Sequence, residues 1–216
     1  MAYLLLVAFL FLPSAFPQAK PLIDDPQVRV VLATNTPGQK SRPHKHDVNR
    51  LMIPLDDGKM RLAFEDGKIK DLAWKPGEFW WDQAGGIHTS ENVGGTTYRI
   101  VEIELKNPAG SAARYPEKDP PKVDPEHFKV ELDNGQVRVL RMKVAPGDKT
   151  ALHEHLLPRV TLYLTDQYIR TTLANGRGST FRNTAGQVSK GGRALHAERN
   201  LGPKPIEVLL IEIKPQ

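Results

Sequence analysis

The chain has 216 residues, enough for one large domain or for two of about 100 residues each. Its formal net charge is +5, but acidic residues lie close to most of the Lys and Arg. With no basic run and no nucleic-acid motif, this reads as a solvated surface and not as a nucleic-acid footprint. There is no cysteine, so disulfides and thiolate chemistry are excluded together.

Residues 2–12 (AYLLLVAFLFL) are apolar without a break and are followed by Pro13-Ser14-Ala15. The run is too short to span a bilayer and fits the apolar core of a secretory signal. Residues 1–19 are therefore expected to be a signal peptide, and the mature chain to be secreted or periplasmic, with no stable membrane span. No Lys or Arg precedes the run, and a buried N-terminal strand is the alternative.

Eighteen prolines and seventeen glycines are spread along the chain, and no long stretch has helical periodicity. Strands are predicted over 27–34, then over 59–64 and 68–74 on either side of Asp66-Gly67, a two-residue hairpin signal. Residues 74–82 hold all three tryptophans, with Glu78-Phe79-Trp80-Trp81-Asp82 just before His88. Such a cluster suits either a pocket wall or a core filling. A strand over 98–106 closes this part. Residues 107–126, rich in Pro, Ala and charge, read as a linker. Strands then follow over 127–132, 136–144, 167–173 and 178–182, the last two flanking Asn175-Gly176, and over 205–214.

The second half repeats the first. Val28-Arg29-Val30 recurs as Val137-Arg138-Val139, Pro37-Gly38 as Pro146-Gly147, and His44-Lys45-His46 as His153-Glu154-His155. Arg50 recurs as Arg159 and Gly77 as Gly186, all at one constant shift. After the loss of one residue, His88 recurs as His196 and Asn92 as Asn200. The organisation is thus all-β: one barrel over 22–106 and a second over 127–216, each of short strands in a closed barrel or jelly roll.

Six of the seven histidines belong to the repeat: His44, His46 and His88, then His153, His155 and His196. His127 stands outside it and reads as an ordinary interfacial residue. Two residues apart on a strand share a face, so His44 and His46 point together, as do His153 and His155. A third histidine from a distant strand would complete a three-nitrogen metal site with open positions.

The residues resemble the cupin family. Its first motif is Gly, five residues, His-x-His and then a Glu; here Gly38-QKSRP-His44-Lys45-His46-DVN-Arg50 and Gly147-DKTAL-His153-Glu154-His155-LLP-Arg159 follow it up to the last position. The second motif is met by Pro76-Gly77 with His88-TSE-Asn92, and by Gly186 with His196-AER-Asn200. The resemblance covers about residues 22–214 and implies two tandem double-stranded β-helix barrels, a bicupin. The departure is that arginine stands twice where the family commonly has its fourth ligand, a Glu. Arginine cannot ligate metal and would be repelled by a divalent ion unless an anion lay between them. It suits a substrate carboxylate instead.

The resulting expectation is a metal-binding enzyme, dioxygenase- or isomerase-like, acting on a small anionic molecule. The six histidines would hold Fe, Mn, Ni or Zn, and Arg50, Arg159 and Trp81 would contact the substrate, with the first repeat favoured as the active one. The alternative is a non-catalytic ligand-binding or structural bicupin with degenerate metal sites. Further pairing of chains into a homo-oligomer is compatible with either.

Overall fold

Period-two alternation sorts the side chains into two environments. In Val28-Arg29-Val30 and Val137-Arg138-Val139 the valines bury themselves in one apolar layer, and each arginine turns to the opposite face. The computed structural model describes residues 21–110 and 113–215. The apolar run at 2–12, and with it the expected signal, lies outside the described residues.

The first barrel has nine strands: β1 (Ile23–Asp24), β2 (Val28–Asn35), β3 (His44–His46), β4 (Arg50–Pro54), β5 (Gly58–Phe64), β6 (Ile69–Trp74), β7 (Trp80–Asp82), β8 (Gly85–Asn92) and β9 (Tyr98–Leu105). They form a five-stranded sheet, β1-β2-β9-β4-β7, and a four-stranded sheet, β3-β8-β5-β6. A short helix, α1 (Pro120–Val123), precedes the second barrel. That barrel has β10 (Phe128–Asp133), β11 (Val137–Val144), β12 (His153–His155), β13 (Arg159–Tyr163), β14 (Gln167–Leu173), β15 (Gly178–Asn183), β16 (Val188–Gly191), β17 (Ala194–Asn200) and β18 (Ile206–Ile213). Its sheets, β10-β11-β18-β13-β16 and β12-β17-β14-β15, repeat the order of the first barrel strand for strand. The pairing between neighbours is antiparallel throughout.

Both anticipated hairpins form. β5 pairs with β6 across Asp66-Gly67 and β14 with β15 across Asn175-Gly176, where Gly67 and Gly176 take φ of +83° and +81°. A side chain resists that conformation, which is why glycine recurs there. The buried amides of Asn92 and Asn200 act as loop clamps: Asn92 donates to Asn35 O and Thr96 O, and Asn200 to Val144 O and Lys204 O.

The two five-stranded sheets face each other. Val30, Leu51, Ile53, Val101 and Ile103 of the first barrel join Val139, Val160, Leu162, Leu209 and Ile211 of the second in one continuous apolar cluster. Each such side chain contributes roughly 1.5–3 kcal/mol on burial, so this shared layer dominates the union of the barrels. A separate apolar cluster lies inside each barrel, around Met60, Trp74 and Tyr98 in the first and Phe128, Leu140 and Ile206 in the second.

The joining segment does more than connect. Residues 113–127 lie along the mouth of the second barrel, where Lys118 O accepts from Glu154 N at 2.8 Å and Asp124 Oδ2 from Ala151 N at 2.8 Å. Asp119 accepts two bonds from the buried Arg138, whose guanidinium also lies 3.6 Å from the centre of the Tyr115 ring. His127 is set between Asp124 at 2.8 Å and Asp148 at 3.2 Å. Burial would lower the basicity of His127, but its two carboxylate partners raise it above the ordinary histidine value. Among the described residues no helix is long and apolar enough to cross a membrane.

Leu51→Ala, in the fully buried layer between the barrels, is expected to lower stability by about 2–5 kcal/mol. In urea both barrels should still unfold in one transition; two separated transitions would show that the shared layer does not couple them. A second expectation concerns pH. A histidine whose folded value is raised stabilises the protein below its unfolded value of about 6.5, and that contribution fades as pH climbs through the folded value. His127→Gln should therefore cost about 1–2 kcal/mol near pH 5.5 and clearly less near pH 9. An equal cost at both would remove His127's charge from the account.

Candidate metal centres

In the first barrel His44 and His46 lie on β3, and His44 is directly opposite His88 on the neighbouring β8. The three ring centres are 4.6, 4.9 and 5.6 Å apart. One nitrogen from each ring lies within 4.8 Å of the others. His44 Nδ1 is 2.8 Å from Arg42 O and His88 Nδ1 is 2.9 Å from Gly86 O. Those carbonyls fix the proton on Nδ1 and leave Nε2 with a free lone pair, the form in which imidazole ligates metal. His46 Nε2 is buried without a partner. Burial, and then the nearby Arg50 charge, push its basicity down to about 4, so His46 is neutral at physiological pH.

The second barrel repeats the arrangement more tightly. His153 on β12 is opposite His196 on β17, and ring centres in the His153, His155 and His196 set are 4.8 to 5.6 Å apart. His153 and His155 are 0% and 2% exposed, and the Phe128 ring covers His153 at 4.7 Å. His153 Nδ1 is held by Ala151 O and His155 Nδ1 by the Glu212 carboxylate, each at 2.9 Å. Glu212 is in turn held by Arg138, which carries the chain of contacts out to Asp119 in the joining segment. Desolvation holds His153 and His155 below the ordinary histidine value. The Nε2 atoms of His153 and His196 are buried with no hydrogen bond.

A largely buried carboxylate that sequence reasoning missed stands beside two members of this cluster. Glu198 Oε1 stands 2.8 Å from His196 Nε2, and Oε2 stands 3.4 Å from His153 Nε2. The Thr150 hydroxyl donates to Oε2 at 3.3 Å. Burial would raise the Glu198 carboxyl, but the imidazoles around it hold it ionised, down to about 2. The available signal was parity: Glu198 follows His196 by two on the same strand and so shares its face. The matching residue of the first barrel is Ser90.

The two arginines have different surroundings. Arg50 points inward from β4, 5% exposed, and donates through Nε and Nη2 to Asp82 and through Nη1 to Glu102 at 2.7 Å. Its fork, expected to receive a substrate carboxylate, is occupied by two carboxylates of the protein itself. Arg159 lies against Gly191, where an added Cβ would come within 2.8 Å of its guanidinium carbon. Its Nη1 donates to Gly192 O at 2.6 Å, and its buried Nε has no partner. Desolvation lowers the Arg159 pKa from its ordinary value.

Of the adjacent tryptophans, the one expected to contact a substrate, Trp81, does not line the cavity beside the histidines. Trp81 packs on the apolar layer between the barrels, while Trp80 and Asp82 turn inward. Trp80, not Trp81, lines a cavity of about 100 Å³ with His44, His46, His88, Arg50, Asp82 and Ser90. Outside it, His44 and His46 also border a wider groove of about 540 Å³ with Arg29, Lys45 and Glu104.

No protein-family model matches the sequence, and neither does any curated protein. Solved structures do match. AerE from Microcystis aeruginosa superposes with a TM-score of 0.62 at 14% identity, over 91% of this chain and 97% of its own. Oxalate decarboxylase from Bacillus subtilis, a protein with Mn(II) centres, superposes with a TM-score of 0.59 at 14% identity, over 88% of this chain and 70% of its own. The chain has the bicupin fold. At these identities the likeness extends to the architecture, and the two histidine triads of this bicupin resemble metal sites through their own geometry.

Arg50→Met would leave Asp82 and Glu102 buried or half-buried without their cation. It is expected to lower stability by about 3–5 kcal/mol, and the triple variant with Asp82→Asn and Glu102→Gln should recover much of the loss in urea unfolding. A harmless single variant would show that the network is not compensating charge.

Proposed function

We propose that this bicupin is an exported metal-dependent enzyme, dioxygenase- or isomerase-like, acting on a small anionic molecule in the first barrel. The observation that carries the reading is the pair of converging imidazole sets, in which the buried Nε2 atoms of His46, His153 and His196 make no hydrogen bond. A buried polar atom without a hydrogen bond is costly, and a divalent ion satisfies several at once. Imidazole suits Fe, Mn, Ni and Zn alike.

His44, His46 and His88 would hold the ion of the first barrel, which when bound supplies a Lewis acid beside the cavity. The chain's own residues do the rest. Trp80, Met52, Met60 and Leu62 wall the cavity against bulk water. A chamber of about 100 Å³ admits only a molecule of a few heavy atoms, or the reacting end of a larger one. Arg50 offers positive charge at the wall, although Asp82 and Glu102 already engage it. That engagement favours a second reading, a non-catalytic ligand-binding bicupin.

Metal content decides between them. Full-length protein purified without a histidine tag should carry up to two divalent ions per chain by elemental analysis, and His44→Ala and His153→Ala should each lose one. Protein that stays metal-free after supplementation with Fe, Mn, Ni and Zn salts would sink the enzyme reading.

A further inference from the structure

We infer that Glu198 is the fourth protein ligand of the second barrel, so that the two sites of the chain are unequal: a four-ligand site in the second barrel and a three-histidine site in the first. This rests on the reading of the triads as metal sites.

Glu198 is largely buried beside two of the three imidazoles of its barrel, and its two oxygens face different histidines, His153 and His196. Its Oε1 is 2.8 Å from His196 Nε2 and its Oε2 3.4 Å from His153 Nε2. A carboxylate oxygen and an imidazole nitrogen at these separations are placed as neighbouring ligands of one ion are, about 3 Å apart when each is about 2.1 Å from the metal. Thr150 orients the carboxylate from the rear: its hydroxyl donates to Oε2 and accepts from the Glu198 backbone N at 2.9 Å.

The position also accounts for Arg159. The carboxylate arrives from β17 instead of from β13, and the guanidinium on β13 sits in the field of Glu198 and Glu212. An anion thus accompanies the cation that would otherwise repel a divalent ion. In the first barrel Ser90 occupies the corresponding place and borders the cavity. There the carboxylates near Arg50 are Asp82 and Glu102, which bond to the arginine.

The test uses the full chain with Co(II), whose visible absorption reports its ligand set. Reading the barrels singly requires two backgrounds, His44→Ala to silence the first and His153→Ala to silence the second. In the His44→Ala background, Glu198→Gln should weaken Co(II) binding by at least about tenfold and change the absorption spectrum. In the His153→Ala background, Ser90→Glu should strengthen binding and shift the spectrum of the first barrel towards that of the second. Far-UV circular dichroism and the urea midpoint without metal confirm that each variant is folded. If Glu198→Gln does not fold, the Ser90→Glu result and the match of the two spectra decide. Co(II) bound in the second barrel with affinity and spectrum unchanged by Glu198→Gln would overturn the assignment of Glu198 alone. Absence of Co(II) from both barrels would overturn the metal reading beneath it.

Discussion

The layer of aliphatic side chains between the two five-stranded sheets is the constraint on which the rest depends. Val30, Leu51, Ile53 and Ile103 meet Val139, Val160, Leu162 and Ile211 there, all essentially without solvent contact. A strand offers only two faces. Once one face of β4 is committed to this layer through Leu51 and Ile53, Arg50 and Met52 have to point into the barrel. The same holds on β13, where Val160 and Leu162 leave Arg159 inside. The chemistry-bearing residues are thus placed by the apolar ones beside them.

Placing an arginine inside a barrel next to a histidine triad raises an electrostatic problem, and each barrel solves it with acids from other strands. In the first barrel Asp82 on β7 and Glu102 on β9 bond directly to Arg50. In the second, Glu198 on β17 and Glu212 on β18 stand with the histidines instead, and Arg159 bonds to a backbone carbonyl. The result is a pair of sites with the same ancestry of positions and different charge arrangements. A buried charge must be compensated, but the compensating group can arrive along any strand that borders the cavity.

The barrels also differ in access. His44 and His46 border both an interior cavity and an outer groove. In the second, the Phe128 ring lies against His153, and the contacts of the joining segment run from Asp119 through Arg138 and Glu212 to His155. The segment between the repeats therefore belongs mechanically to the second barrel and supports one of its histidines.

Much of this was legible in the sequence, because repetition and local alternation are local properties. The internal repeat, the two hairpins at Asp66-Gly67 and Asn175-Gly176, and the pairing of His44 with His46 and of His153 with His155 on one face all follow from spacing alone. The short strands β4, β7, β13 and β16 were not foreseen, since they carry too few residues to show a period. In Trp80-Trp81 parity guaranteed that one ring faces in and the other out, but not which. That choice came from Leu51, the register partner of Trp81, which belongs to the layer between the barrels.

The sequence by itself determined two all-β repeats, their three histidines each and the arginine that replaces an acid in both. Only the tertiary structure decided what neutralises those arginines, that Glu198 stands beside one triad while Ser90 borders the other, and that the joining segment bonds to the second barrel. The physical reason is that charge compensation and closure act through space. Glu102 lies far from Arg50 along the chain, and it meets the guanidinium only because β4 and β9 are adjacent in the sheet.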